Sequence, residues 1–380
     1  MGASGQAMAT VGATRAGCQA DLGRIGGCVR ASRRARRRAG RPSLPTSPFV
    51  LFVASVATLC CAPASGEPFS VREVSPGHFV HVGRHEDMSA DNRGDVANGG
   101  FVIGERGVAA IDPGGSASVG RALGAALRER SALPLTHVIL THFHPDHVLG
   151  ARAFVEAANG TSSGGRSAGE GVRGEESTGT GATGKGASDV EVVAHTTYPR
   201  AMVQRGAFYL DRYAALVDDD AGALLVPTLE VVPGTPLMID LGGRRLEVRA
   251  HPTAHTDNDL TVLERSSGTL WAGDLLVAGR TPSLDGDLRG WLAVLGELAA
   301  LAPRVVVFGH GEPGELGTPL DAQHAYLEAL LSDVRARLAA GEGLSDALEA
   351  AEGAPPGHWA LFELHHPANV TRAWTQLEWE

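Results

Sequence analysis

The run Thr141-His142-Phe143-His144-Pro145-Asp146-His147 crowds three imidazoles and a carboxylate into six positions. Packing alone gives no reason to gather such groups. Neutral nitrogen and carboxylate oxygen together are a donor set for zinc or a similar first-row divalent ion. The apolar run Leu135-Thr136-His137-Val138-Ile139-Leu140 leads straight into the cluster, which therefore sits at the carboxyl end of a buried strand. In an extended segment residues i and i+2 point to the same side. His142 and His144 can then hold one ion while Asp146 and His147, on the turn that follows, face a second. A lone histidine at a strand end is more often a surface or capping residue. Four candidate ligands together are a different matter.

A two-metal site needs about six or seven protein ligands, and three more strand ends offer them. His255 follows the strand Arg245–Ala250, Asp274 follows Thr269–Gly273, and His310 follows Val305–Gly309. Gly273 and Gly309 directly precede their ligands and are expected to permit the turn that aims them inward. His251 competes with His255, and the small neighbours of His255 favour it. Asp112, Asp257 and Asp259 are candidate acceptors for the outer nitrogens of the ligand histidines; each alone also reads as a turn or capping residue.

The elements that must carry these residues alternate between strand and helix. Residues 69–83 read as two short strands around Pro76-Gly77, and Gly100–Gly104 with Gly107–Asp112 as a hairpin. Helices are expected at Val119–Arg130, Val148–Ala158, Tyr198–Val217, Leu320–Ala340 and Leu344–Ala351, and strands at 190–194, 237–240, 245–250, 260–264, 269–272 and 304–308. Phe208, Tyr209 and Tyr213 are expected to pack onto the sheet, with a substrate-facing wall as the alternative. This is an α/β chain with its ligands at strand ends, where such sheets place their sites. Residues 159–189 hold almost no large apolar side chain and read as a disordered surface insertion. Asn369-Val370-Thr371 has the form of a glycosylation acceptor and is taken as a chance match. His365-His366 is read as a surface or docking pair.

Charge and cysteine divide the chain of 380 residues unevenly. Residues 1–64 hold nine arginines against Asp21, or +8; the whole is −10, which leaves −18 for the remainder. So acidic a remainder argues against nucleic-acid or anionic-membrane binding. The arginines precede a 14-residue apolar run, Phe49–Ala62, and then Ala62-Pro63-Ala64. That is the layout of an export signal and its cleavage site, so residues 1–64 are expected to be a leader and 65–380 a periplasmic domain, with a helical extension from about 320 and no membrane contact after cleavage. A retained anchor is the alternative. All four cysteines (18, 28, 60 and 61) lie in the leader, which excludes thiolate ligands and cysteine nucleophiles from the domain.

The order His-x-His-x-Asp-His, Ala-His-Thr, Gly-Asp, Gly-His-Gly resembles the metallo-β-lactamase superfamily over residues 70–315. The resemblance implies an αββα sandwich of two mixed sheets with helices outside. It also implies two zinc ions, with iron or manganese as alternatives. His142, His144 and His255 would hold the first, Asp146, His147 and His310 the second, and Asp274 would bridge them. Asp112 matches a largely structural aspartate. A carboxylate at 274 resembles the glyoxalase II-like branch. Gly83–Asp87, Tyr198–Ala201, Arg205–Tyr213, Arg280–Gly286, His366–Thr371 and Leu377–Glu380 are most similar to SoxH-related quinoprotein relay system zinc metallohydrolases. The implied function is a metallo-hydrolase whose zinc-bridging hydroxide attacks an ester, thioester or similar small-molecule substrate, with Asp146 orienting the nucleophile and carrying its proton, and with a link to periplasmic quinoprotein dehydrogenase systems. The competing readings are an iron-dependent sulfur oxygenase, a β-lactamase, and a non-hydrolytic periplasmic metal-binding accessory protein.

Overall fold

A computed structural model describes residues 69–160, 190–217, 224–353 and 357–380. The expected leader and nearly all of the expected insertion lie outside them. The described residues form two mixed β-sheets with helices on their outer faces. In the first sheet, β1 (Arg72–Ser75), β2 (His78–His81), β3 (Gly99–Ile103) and β4 (Val108–Ile111) are antiparallel neighbours. Then β5 (Leu135–Ile139), β6 (Glu191–His195) and β7 (Leu229–Val231) continue in parallel. The second sheet is β12-β11-β10-β9-β8, from β8 (Leu237–Asp240), β9 (Arg245–Ala250), β10 (Leu260–Glu264), β11 (Thr269–Gly273) and β12 (Val305–Phe308). Only β11 and β12 are parallel there.

Between the sheets lies an apolar layer that includes Val102, Ile111, Ile139, Val193, Leu246, Val248, Val262 and Trp271. Both faces of these strands are covered, so the strands read as continuous apolar runs rather than alternating ones. Outside the first sheet pack α1 (Ala117–Arg130), α3 (Ala151–Ala158) and α4 (Tyr198–Arg212), through Leu123, Leu127, Phe154 and Tyr198. Outside the second pack α5 (Leu288–Ala300), α6 (Gly317–Ala340), α7 (Leu344–Glu352) and α8 (Phe362–Leu377), through Trp291, Leu295, Leu327 and Trp374. Burying each such Leu or Trp contributes on the order of 2 kcal/mol. Among the described residues no helix is long and apolar enough to cross a membrane.

Several boundaries differ from the sequence reading, each for a local reason. The helix expected over Val148–Ala158 is broken: α2 (Pro145–Val148) ends, and α3 begins after Gly150. The Gly150 amide turns aside to the Gly114 carbonyl (2.7 Å), and a Cβ on Gly120 would lie 2.0 Å from the Gly150 oxygen. That close approach of α1 to α3 fixes the break. Likewise α4 gives way to a 3-10 turn at Ala214–Leu216. Strand β7 and helix α5 have no counterpart in the sequence reading, and α8 falls within the expected helical extension without having been placed there. Gly290 and Gly296 in α5 and Pro367 in α8 look like breakers. Gly290 is instead needed for packing, since a Cβ there would meet the Thr253 carbonyl at 2.1 Å.

Candidate metal centre

Five strands end at one edge of the sandwich, and their registers determine which residues meet there. Parallel pairing of Ile111 with Ile139 sets Asp112 beside the first residues after β5. Asp112 is buried and held at φ 46°, a left-handed conformation that Asp and Asn tolerate better than most residues. Its Oδ1 accepts from the Thr141 amide (2.8 Å) and its Oδ2 from the Thr141 hydroxyl (2.6 Å). From the second sheet, Leu260 donates its amide to the Thr141 carbonyl (2.7 Å), joining the ends of β5 and β10. The 251–259 loop is closed by the His251 amide on the Asp259 carbonyl and carries His255 on its turn. Pairing of Gly273 with Phe308 then puts Asp274 next to Gly309 and His310.

The two glycines serve different ends. Gly273 has φ 52°, and a Cβ would press on the Thr141 side chain at 2.6 Å. Gly309 needs no left-handed backbone; a Cβ there would sit 1.9 Å from Asp274 Oδ1, so it makes room for the carboxylate. The expectation of a turn-permitting glycine thus fails for Gly309.

All seven residues singled out in the sequence come together. His142, His144, His255 and Asp274 offer donor atoms within 4.8 Å of one another, as do Asp146, His147 and His310. Asp274 lies between the groups. One of its oxygens is 3.2 Å from His147 Nε2, and the other is 3.2 Å from His310 Nε2 and 3.7 Å from His255 Nε2. Asp146 Oδ2 is 3.4 Å from His310 Nε2 and 3.8 Å from His147 Nε2.

Each imidazole is anchored from behind. His147 Nδ1 donates to Asp112 Oδ2 (2.9 Å), His255 Nδ1 to the Ser283 carbonyl (2.7 Å), and His310 Nδ1 to the Val96 carbonyl (2.7 Å). His144 Nε2 donates to Asp285 Oδ2 (3.2 Å). His142 Nδ1 meets the Thr141 hydroxyl (3.0 Å), whose own proton is committed to Asp112. All five outer nitrogens therefore donate, and this fixes the tautomers. The inner nitrogens are left with lone pairs directed at the cluster, although His310 Nε2 also has Arg280 Nη1 at 3.1 Å. His142 Nε2, His147 Nε2 and Asp274 Oδ1 are buried without a hydrogen-bond partner. His144 Nδ1 and His255 Nε2 face each other at 3.1 Å, an arrangement of two lone pairs that a shared cation relieves.

The electrostatics agree with cation binding. Burial, reinforced by the neighbouring His147 and His144, holds His142 well below the usual histidine range. Burial and His144 lower His255 to about 3. Both rings are thus neutral donors. At His147 burial disfavours charge, but Asp274, Asp146 and Asp112 outweigh it and favour positive charge there, which a bound cation would supply. Burial pushes Asp274 upward, yet His310 and His147 hold it well below the carboxylate range. The donor set, its tautomers and its charge all fit divalent metal.

Other candidates fare differently. His251 stays outside, with Nε2 on the Thr261 hydroxyl (2.9 Å). Of the three aspartates proposed to support the ligands, only Asp112 does so directly. Asp257 is occupied by Arg200 and the Asn258 amide, and Asp259 by Thr256, so both are turn residues. The acceptor that sequence reasoning missed is Asp285, which also pairs with Arg205 of α4. Tyr209 packs on Phe143 as expected (ring centroids 5.4 Å apart), whereas Phe208 is exposed. His365 and His366 are not a surface pair: His365 lies 3.3 Å from Arg280, and His366 stacks on Phe362 and bonds the Tyr326 hydroxyl. Asn369 is buried, with its side chain bonded to Leu284 and Pro282, on either side of the Ser283 carbonyl that anchors His255.

An αββα sandwich with a His/Asp cluster able to hold metal at the carboxyl ends of its strands defines the class. Residues 92–310 match the metallo-beta-lactamase superfamily, and the chain belongs to it. Members of that superfamily are mostly hydrolases. Among solved structures, the chain is similar to the stereoselective inverting sec-alkylsulfatase of a Pseudomonas species (TM-score 0.57, 16% identity, covering 81% of this chain and 50% of that one). It is also similar to a metallo-beta-lactamase from Pontibacter korlensis (TM-score 0.49, 18% identity, covering 68% of this chain and 98% of that one). No curated protein matches the sequence.

Proposed function

We propose that this protein is a dinuclear zinc hydrolase acting on an ester, thioester or similar small-molecule substrate. His142, His144 and His255 would hold one ion and Asp146, His147 and His310 the other, with Asp274 available to both. The observation that carries this reading is the set of five imidazoles, each tied back through its outer nitrogen, around a carboxylate whose two oxygens face different histidines. Two divalent ions bound there would supply Lewis acidity and a water acidic enough to lose its proton near neutral pH. The chain's own part is orientation and proton handling. Asp146 keeps 11% of its side chain exposed, whereas His142 and His147 are sealed in, so it can take the nucleophile's proton and pass it outward. The carboxylate at 274 supports a glyoxalase II-like placement. The SoxH-like stretches and the leader-like first 64 residues support a periplasmic protein working beside a quinoprotein dehydrogenase system.

Elemental analysis of the purified protein, joined to a panel of esters, thioesters and lactams, tests the proposal. Two equivalents of zinc with ester or thioester turnover that disappears in Asp146→Ala is the expected result. Two equivalents with no turnover on any member would overturn the hydrolase reading in favour of a metal-binding accessory. Iron in place of zinc would favour the oxygenase.

A further inference from the structure

Three helices outside the second sheet leave a groove of about 300 Å³ between them. Two of its walls are stripes at helical spacing: Tyr326, Leu330 and Arg337 on α6, and Phe362, His366 and Val370 on α8. Elsewhere these helices are packed shut through Leu327, Val334, Ala373 and Trp374. Here the end of α7 supplies only Ala350 and Ala351, whose methyl groups are too short to fill the space. The floor is apolar, with Leu330, Ala351 and Val370 buried. A water placed on it would find few hydrogen-bond partners. At the rim, Arg337 is committed to Asp333 (2.8 Å) and Glu342 (2.9 Å), so its charge is already matched and the groove does not call for an ion.

One wall carries a donor that lacks an acceptor. The Asn369 side chain gives one amide proton to the Pro282 carbonyl (2.7 Å) and the other to the Tyr326 hydroxyl oxygen (2.8 Å), while its own oxygen accepts from the Leu284 amide (2.8 Å). Tyr326 must then direct its proton to its remaining neighbour, His366 Nδ1 (3.0 Å). Burial raises that phenol to about 12, so it stays a donor. Burial also lowers His366 below the usual histidine range, against the pull of Asp333, and keeps the ring neutral near pH 7. The single ring proton therefore sits on Nε2, which has no hydrogen-bond partner among the described residues. In the other direction the chain runs on toward the metal centre. Pro282 and Leu284 flank the Ser283 carbonyl that holds His255 Nδ1.

We propose that this groove binds a neutral aromatic molecule bearing an acceptor oxygen, such as an aromatic ketone, and that the occupant is an effector of the metal centre. Phe362 stacks on His366 (ring centroids 4.4 Å apart), and both meet Tyr326 edge-on at 6.5 and 5.8 Å. Such a lining of ring faces and edges suits another ring. The volume stands at the lower end of the ~300–1,000 Å³ typical of small-molecule sites, room for one or two rings. An oxygen accepting from His366 Nε2 completes the chain of hydrogen bonds. Each bond in such a chain polarises the next. Nδ1 then draws harder on Tyr326 and Tyr326 on Asn369, which holds the 282–284 segment more firmly behind His255. The effector role rests on the metal reading of the proposed function; the binding site does not.

The test is a ligand-observed NMR titration of the purified full chain with two probes of one shape, acetophenone and α-methylstyrene, in which a CH2 replaces the oxygen. Wild type is expected to bind acetophenone at least fivefold more tightly. His366→Phe keeps a ring in the wall and removes the donor, and should bring the two affinities together. Ala329→Leu, at an exposed position on the groove's α6 wall, should abolish binding of both and serves if H366F does not fold. Equal affinities in wild type, no binding of either probe, or binding that survives A329L would each overturn the proposal. So would dimerisation in sedimentation that A329L removes, since the groove would then belong to a second copy of the chain. For the effector role, saturating acetophenone should tighten zinc binding at least twofold in a competition titration, and zinc should tighten acetophenone by the same factor. Tyr326→Phe should keep acetophenone binding and lose that coupling. Acetophenone binding with unchanged zinc affinity overturns the effector role. A chain that takes up no zinc fails the metal reading, and the acetophenone titration still decides the site.

Discussion

Replacing Asp112 by Asn isolates the charge behind the candidate metal centre. Asparagine has the same shape and accepts the left-handed backbone at φ 46°, so backbone strain does not enter. The carboxylate, however, accepts three hydrogen bonds and donates none: from the Thr141 amide, the Thr141 hydroxyl and His147 Nδ1. An amide cannot match that set. With its oxygen toward the Thr141 amide, its NH2 faces His147 Nδ1–H, donor against donor, and also meets the Thr141 hydroxyl. That hydroxyl would then turn its proton toward His142 Nδ1, 3.0 Å away. His142 would shift to the tautomer with its proton on Nε2, the atom aimed at the cluster. With the amide reversed, NH2 opposes the Thr141 amide instead. Stranding a buried donor costs about 1–3 kcal/mol, and losing a partner of a ligand histidine costs about 10–100-fold in metal affinity. We expect D112N to bind zinc about 10–100-fold more weakly at both positions, because Thr141 carries the defect from His147 to His142. Competition titration against a chromogenic chelator reads the affinities, and elemental analysis after dialysis reads the stoichiometry. Two equivalents held at wild-type affinity would refute the relay.

Three further outcomes follow from the packing around the site. Gly309→Ala puts a methyl where Asp274 Oδ1 lies, 1.9 Å from the added carbon, and should eliminate stoichiometric zinc while circular dichroism still shows folded protein. Asn369→Ala strands the Leu284 amide and the Pro282 carbonyl, should cost about 2–4 kcal/mol in urea unfolding, and should weaken zinc binding through the Ser283 carbonyl behind His255. An unchanged urea midpoint would count against that buttress. His251, lowered by burial to about 4, is neutral when folded and takes a proton on unfolding below about 6.5. Its folded pKa is depressed, so stability falls as pH drops from about 6.5 to 4, by on the order of 3 kcal/mol. Buried Asp259, raised by burial to about 7, works in the opposite direction over the same range. The difference between wild type and His251→Gln in urea denaturation at pH 7 and pH 4 therefore isolates the histidine, and equal differences at both pH values would remove it.

The candidate ligands were legible because they share two properties visible in a sequence: a metal-binding side chain, and a position just after an apolar run. The alternation of strands and helices, and hence the α/β class, followed from the same runs. Their supports were harder to read. Ser283 and Val96 contribute carbonyls, which any residue offers. Asp285 sits in an irregular segment with nothing to mark its partner, 141 positions from His144. Thr141 was in plain view but acts through a hydroxyl proton. Helix α5 was missed and α8 was not delimited within the expected helical extension, because Gly290 and Pro367 carry strong negative propensity; burial of Trp291 and Trp374 in a common core prevails. Asn369 stood in a pattern set aside as a chance match, and nothing in the sequence marked it as a buried buttress.

The division of ligands along the chain also bears on how the centre is assembled. His142, His144, Asp146 and His147 are neighbours in any conformation, whereas His255, Asp274 and His310 arrive only once the second sheet has formed. A nascent or unfolded chain thus already owns half a chelate. Zinc captured early by that half would stabilise the native state by less than its full affinity suggests, since only the difference between the two states counts. Refolding with metal present from the start should then differ from refolding with metal added afterwards.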